Sequence, residues 1–341
     1  MPVTAGYDVG GAHLKVALAE NGRTIAVRQI ACPLWQGIDR LDVAFAQAAE
    51  LTARADTHAA TMTGELCELF PDRRAGVEAL LDRLQAILGE DVRIWMGRLG
   101  FGDVDAARRA PMHVASTNFL ATATLVATRL PNALLIDMGS TTTDIIAIRD
   151  GAPAPRGLTD GERLVTGELV YTGLTRTDVS VVAQRGTLNG QTQRLAAGGF
   201  ANMADVRRVL GELTDAVDQH AAFDNRGKSA SESVARFARC FGRDATDASI
   251  DEWRAAARMI ADQQAREIRG AIDEALAAVP LPAGAPIVGA GIGAGEIARI
   301  ASALARDCLP FGILAEAVAD CSDWATRCAP ATALALLANT D

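Results

Sequence analysis

Two short stretches of this chain hold the residue types that handle phosphate. One reads Asp8-Val9-Gly10-Gly11-Ala12-His13-Leu14-Lys15, the other Asp137-Met138-Gly139-Ser140-Thr141-Thr142-Thr143-Asp144. A shift of 129 residues lays Asp8 on Asp137, Gly10 on Gly139, Gly11 on Ser140, His13 on Thr142 and Lys15 on Asp144. Glycine in such a turn lets successive backbone N–H groups face one concavity, which then accepts an anion. An aspartate beside that concavity repels phosphate unless it holds Mg2+, an ion that takes a few carboxylates together with water and phosphate oxygens. Asp8, Asp137 and Asp144 are therefore candidate Mg2+ ligands. Gly10, Gly11, His13, Gly139, Ser140, Thr141 and Thr142 are candidate phosphate contacts. Lys15, directed into the same cleft, would place a point charge on a leaving phosphate. Of 33 basic residues only Lys15 and Lys228 are lysine, and a compact ammonium meets phosphate differently from a planar guanidinium.

A third glycine-bearing stretch, Pro286-Ile287-Val288-Gly289-Ala290-Gly291-Ile292-Gly293-Ala294-Gly295, reads as a strand running into a helix. It lies late in the chain, whereas a dinucleotide fingerprint opens its domain and is followed by an acidic residue about 20 positions on. Gly289, Gly291 and Gly293 are read as a helix N-terminus that receives phosphate or a nucleoside.

The elements that must position these words follow from pattern and punctuation. Residues 3–19 read as strand, glycine turn, strand, and 24–30 as a third strand after the Asn21-Gly22 turn. Helices are expected over 38–55, 74–88 and from the cap Ser116-Thr117-Asn118 to about 128, with short strands at 59–62 and 92–96. Residues 132–149 repeat the opening strand–turn–strand. A strand is expected at 179–183, strongly helical sequence over about 203–278, then a strand at 287–290 and helices over 296–305 and 331–339. Two similar halves, each with a hairpin turn facing a cleft, suggest a duplicated α/β architecture around a central ligand site.

Composition narrows the class. The chain has 341 residues, 49% hydrophobic and 22% charged, with a net charge of −9. That length suits about two domains, and the acidic balance argues against nucleic acid or an anionic membrane as partner. Six cysteines are scattered without a CxxC pair or a histidine cluster, as expected of free thiols in a reducing cytoplasm. No apolar run is long enough to span a bilayer, and the first residues lead straight into a strand pattern, so a cytoplasmic protein is expected.

The three phosphate-type stretches stand in the order of the phosphate-1, phosphate-2 and adenosine motifs, and the chain resembles the actin/sugar-kinase/Hsp70 superfamily. The resemblance implies two RNase H-like (actin-like ATPase) domains around a central cleft: residues 1–130, joined by the helix at 331–339, and residues 131–330, carrying a helical insertion at about 203–278. Further words narrow it: Met62-Thr63-Gly64-Glu65-Leu66, Ser116-Thr117-Asn118-Phe119-Leu120 and Thr166-Gly167-Glu168-Leu169-Val170-Tyr171-Thr172-Gly173. With these the chain is similar to hydantoinase/oxoprolinase-related proteins linked to tetrahydromethanopterin one-carbon transfer. That similarity implies a Mg2+-dependent transferase of methanofuran or methylofuran synthesis. Such an enzyme joins a furfurylamine diphosphate to the phenol of a tyramine- or tyrosine-derived acceptor and releases diphosphate.

That chemistry fits the residues. The electron-rich furfuryl carbon stabilises positive charge, and the protein must hold the departing negative charge better in the transition state than before it. A free phenol has a pKa of about 10, so a carboxylate would help it react. Glu65 is the first candidate and Glu168 the second, both on polar turns after glycine. Arg176 is a candidate for a substrate carboxylate, and Asn118 either caps its helix or faces the substrate. A kinase or ATPase of the same fold, a non-catalytic nucleotide-binding protein and a hydantoinase-type amide hydrolase are the competing readings. The helical region at 203–278 is open to use as a lid or as a homodimer surface.

Overall fold

The computed structural model describes residues 2–339, and its two main sheets grow from the two repeated words. In chain order the strands are β1 (Thr4–Val9), β2 (His13–Glu20), β3 (Arg23–Ala31), β4 (Thr57–Met62), β5 (Arg93–Trp95), β6 (Phe101–Gly102), β7 (Ala133–Met138), β8 (Thr143–Arg149), β9 (Ala152–Pro153), β10 (Leu169–Val170), β11 (Arg185–Leu188), β12 (Gln191–Arg194), β13 (Ile287–Ala290) and β14 (Cys308–Pro310). The first sheet has the order β3-β2-β1-β4-β5-β6 and the second β10-β8-β7-β13-β14, with β9 beside β8. In each, an antiparallel hairpin is followed by two parallel strands: β4 and β5 beside β1, β13 and β14 beside β7. The 129-residue shift carries β1 onto β7 end for end. Asp8 pairs with Lys15 in one hairpin, and Asp137 with Asp144 in the other. The fold is the expected duplicated α/β type. β13, buried along its whole length, reads as the unbroken run Ile-Val-Gly-Ala because helices cover the sheet.

One apolar core runs between the sheets. It joins Ala17, Ala19 and Ala59 of the first to Leu135, Ile146 and Ile148 of the second, around helix Ala329–Leu337. That helix lies against β1, β2 and β4, with helix Asn118–Arg129 on its other side. The alanine-rich composition finds its use here, since small side chains let helix and strand approach closely. Gly6 in β1 is the tightest point: a Cβ there would strike the Ala331 carbonyl oxygen and come within 2.6 Å of the Ala335 nitrogen. Gly6→Ala is therefore expected to destabilise the protein by about 1–3 kcal/mol or more, seen as a lowered thermal midpoint. A midpoint equal to wild type would show that helix and strand can part without loss.

Several elements differ from the sequence reading for identifiable reasons. The helix expected over 38–55 breaks at Ala48 into Asp39–Gln47 and Ala49–Thr52. The strand expected at 179–183 is a helical turn, Val179–Val182, capped by Asp178, whose carboxylate accepts from the Ser180 N–H at 2.7 Å. Side-chain capping overrode the β-branched run. The Thr117 side chain does not cap helix Asn118–Arg129; its hydroxyl donates to the carbonyls of His113 and Val114. The 203–278 region holds three α-helices, Met203–Val209, Ala230–Cys240 and Ile250–Ala278, and a short 3-10 turn at Ala245–Asp247, with a long non-helical stretch over 210–229. Gly211, at φ 75°, follows the first of them, and the Ser229/Glu232 capping box starts the second. Among the described residues no helix is long and apolar enough to cross a membrane, and all six cysteines are free.

Candidate active site

The repeat persists at atomic detail in the two hairpin tips. The Gly10 N–H donates to the His13 carbonyl and the Gly139 N–H to the Thr142 carbonyl, each at 2.9 Å. Among the described residues the N–H groups of Gly11, Ala12, Ser140 and Thr141 make no hydrogen bond. Gly10, Gly11, Ala12 and His13 from one tip, and Gly139, Ser140, Thr141 and Thr142 from the other, line a single cleft of about 440 Å³. The second tip is held from behind by the 172–177 loop. Leu174 and Arg176 donate their N–H groups to the carbonyls of Gly139 and Ser140 at 2.9 and 2.8 Å. Gln264, buried in helix Ile250–Ala278, fixes that loop by donating to the Gly173 carbonyl at 2.7 Å and to the Thr172 hydroxyl at 2.9 Å.

Between the tips stand Asp8, Lys15, Asp137 and Asp144, all lining the cleft. The Lys15 ammonium is 3.1 Å from Asp8 Oδ2, and the buried Oδ1 of Asp8 has no partner. Burial works against the charge on Lys15, but Asp8, Cys328 and Asp137 outweigh it and hold its pKa above the usual lysine value. Burial pushes the Asp137 carboxyl up to about 7; Lys15 pulls it down, while Asp144 and Asp8 push it further up. The Asp137 side chain makes no hydrogen bond or ion pair among the described residues. Asp144 differs from the sequence expectation. Its Oδ1 is engaged by the buried guanidinium of Arg163, which also holds Asp160 at 2.8 Å and lies 3.9 Å from the Phe119 ring centroid. Burial raises the Asp144 pKa in spite of Arg163, but one of its oxygens is already taken.

The remaining expected site residues divide between the cleft and its supports. Asn118, at the start of its helix, lines the cleft, as does Arg176. The exposed Arg176 guanidinium sits 5.1 Å from the Trp35 ring centroid, and among the described residues it has no carboxylate partner. His13 is buried, 4.6 Å edge-on from His220, and desolvation followed by repulsion from His220, Lys15 and Arg176 holds its pKa well below the ordinary value. These surroundings disfavour its charged form. Glu65 lies just behind the lining, 1% exposed, where Ser116 Oγ donates to its Oε1 at 2.6 Å. Ser116 itself lines the cleft.

Two groups fall outside it. Glu168 is buried away from the cleft lining and accepts from the N–H groups of Arg156 and Gly157 and from the Thr166 hydroxyl. A carboxylate with that many donors anchors a loop and is not placed to take a substrate proton. Gly289 sits inside β13, and the N–H groups of Gly291 and Gly293 are spent on the carbonyls of Thr326 and Met138. Side chains at Gly291 and Gly293 would collide with Asp137 and with Met138. These glycines let the turn after β13 close against the end of β7 rather than cradle phosphate; only Ile292 of the turn reaches the cleft.

Arg163, Trp35 and His220 were not singled out from sequence. Arg163 lies in a short capped helix (Asp160–Thr166), and His220 in the non-helical stretch after Gly211. Neither position carries a spacing signal, because long-range folding brings them to the site. What the cleft can do chemically is gather N–H donors and one ammonium around an anion beside two carboxylates with open oxygens.

Comparison with known proteins agrees with this architecture. Residues 56–308 match the hydantoinase/oxoprolinase family model. The chain belongs to the hydantoinase/oxoprolinase family. A family relative in Methanocaldococcus jannaschii, the (4-{4-[2-(gamma-L-glutamylamino)ethyl]phenoxymethyl}furan-2-yl)methanamine synthase, is 30% identical over 248 residues, 72% of this chain and 74% of its own length. The synthase of the same name in Methanococcus vannielii is 34% identical over 121 residues, 36% of this chain and 54% of that protein. Among solved structures, an acetone carboxylase without nucleotide, from work on ATP-dependent acetone carboxylation, shares the fold. Its TM-score is 0.60 at 12% identity, covering 99% of this chain and 70% of the other. The chain is an enzyme of this family.

Proposed function

We propose that the enzyme forms a phenoxymethyl-furan ether in methanofuran or methylofuran synthesis, from a furfurylamine diphosphate and a tyramine- or tyrosine-derived phenol. The bond between the furfuryl carbon and the diphosphate oxygen breaks, and the electron pair leaves with diphosphate. The phenol oxygen bonds to the same carbon and gives up its proton. The observation that carries this reading is the pair of opposed tips with unused N–H groups on either side of Lys15. Donors fixed before the reaction stabilise the charge that grows on the leaving group.

The residues present suit Mg2+. Asp8 has a buried oxygen without a partner, and Asp137 has a carboxyl pushed up to about 7 with no bonded cation. Among the described residues no three His, Cys, Asp or Glu side chains converge on one point, so diphosphate oxygens and water would complete the shell held by Asp8 and Asp137. When bound, the ion would neutralise charge on the departing diphosphate. Arg176 faces the cleft without a carboxylate partner, which suits it to a carboxylate of the acceptor.

The test supplies purified enzyme with a furfurylamine diphosphate, a tyramine-type phenol and Mg2+, with ATP in a parallel reaction. Diphosphate and ether are expected in equal amounts, with no consumption of ATP. Steady ATP turnover without ether would establish the kinase reading instead. That reading would seat adenosine near the 289–295 turn, of which Ile292 lines the cleft, and its phosphates between the two tips.

A further inference from the structure

We infer that Ser116 accepts the proton of the attacking phenol while passing its own hydroxyl proton to Glu65, so that the two residues together act as the base of the transfer. The inference rests on the reaction proposed above and identifies its proton path. Ala115 forms an isolated parallel bridge to Met62 at the end of β4, and helix Asn118–Arg129 begins three residues later. In the sharp bend between them Ser116 has φ 52°. A non-glycine residue in the left-handed region is strained by about 1–2 kcal/mol and persists where its surroundings impose it. Here the bend turns the hydroxyl to Glu65 while the residue remains part of the cleft lining.

Glu65 is built into its place. It lies in the turn Gly64–Leu66, against which helix Arg73–Leu88 packs so closely that a Cβ on Gly76 would come 2.8 Å from Glu65 Cα. Its Oε2 is buried with no partner, so the carboxylate has room for a proton. Burial pushes the carboxyl up to about 7; the Ser116 hydroxyl lowers it, Asp160 raises it and Arg73 lowers it. A carboxylate poised there takes a proton at neutral pH better than an exposed glutamate does. The balance closes: phenol proton to Ser116 Oγ, serine proton to Glu65 Oε1, and the Glu65 proton to water once product leaves.

The experiment follows ether formation against pH with tyramine and with a ring-fluorinated tyramine of lower phenol pKa. With saturating Mg2+, so that Asp137 would hold the ion and not a proton, kcat of unaltered enzyme is expected to rise through pH of about 7 with both acceptors. A limb that moves with the phenol's own pKa would overturn the relay. Glu65→Gln keeps the shape and is expected to lose about 10²- to 10³-fold in kcat, to lose the limb, and to recover at least tenfold with the fluorinated acceptor. Ser116→Ala should show the same recovery. A Glu65→Gln enzyme with wild-type rate and pH profile overturns the relay alone. Unaltered enzyme that makes no ether with either phenol overturns the transfer reaction and the relay with it.

Discussion

Asp137→Asn is expected to lower the rate of diphosphate release by about 10²- to 10³-fold without weakening the fold. Asp137 has open oxygens beside both tips, so an amide in its place removes a charged ligand and changes little else in shape. Its effect on stability has a definite sign. A carboxyl raised from 3.8 to about 7 by burial favours the folded state most below 3.8 and loses that contribution as pH rises through 7. At pH 8 the asparagine enzyme should therefore melt no lower than wild type, while releasing far less diphosphate. Rates equal to wild type under saturating Mg2+ would remove Asp137 from the metal site. Asp8→Asn is the informative contrast, because Asp8 also pairs with Lys15. Removing one member of a buried pair leaves the other uncompensated, so a lower melting temperature should accompany its loss of activity.

Lys15→Ala is expected to reduce kcat by a similar factor, about 10²- to 10³-fold, with the KM for the phenol changed little. Lys15 stands on β2 opposite Asp8 and feels Asp137 across the cleft, so its charge is aimed where the diphosphate departs. Lys15→Arg should restore little of the loss, since a planar fork does not fit where a point charge is held between two carboxylates. Steady-state kinetics with the phenol varied decides the matter. A variant with normal kcat and a raised phenol KM would move Lys15 to the acceptor side.

Much of the fold was legible because the repeat is local. The spacing from Asp8 to Lys15 and from Asp137 to Asp144 fixes two hairpins whose pairing follows from turn length alone. The cleft lining from those tips was legible for the same reason. Roles that depend on what packs behind a side chain were not. Asp144 looked like a free carboxylate until Arg163, 19 residues later, was seen to hold it. Glu65 and Glu168 stand in similar Gly-Glu-Leu words, yet one keeps an unpartnered oxygen and the other accepts several donors. Glycine runs are equally ambiguous: Gly291 and Gly293 serve close backbone approach, although the same spelling elsewhere cradles phosphate. Neighbouring sequence cannot distinguish these cases, because the deciding atoms arrive from distant parts of the chain.

Helix Ala329–Leu337 bears on how the protein is made. It covers β1 and β2, which leave the ribosome some three hundred residues before it does. During synthesis the first sheet therefore waits with one apolar face open, and the nascent chain has reason to engage a chaperone until helix Ala329–Leu337 emerges and covers that face.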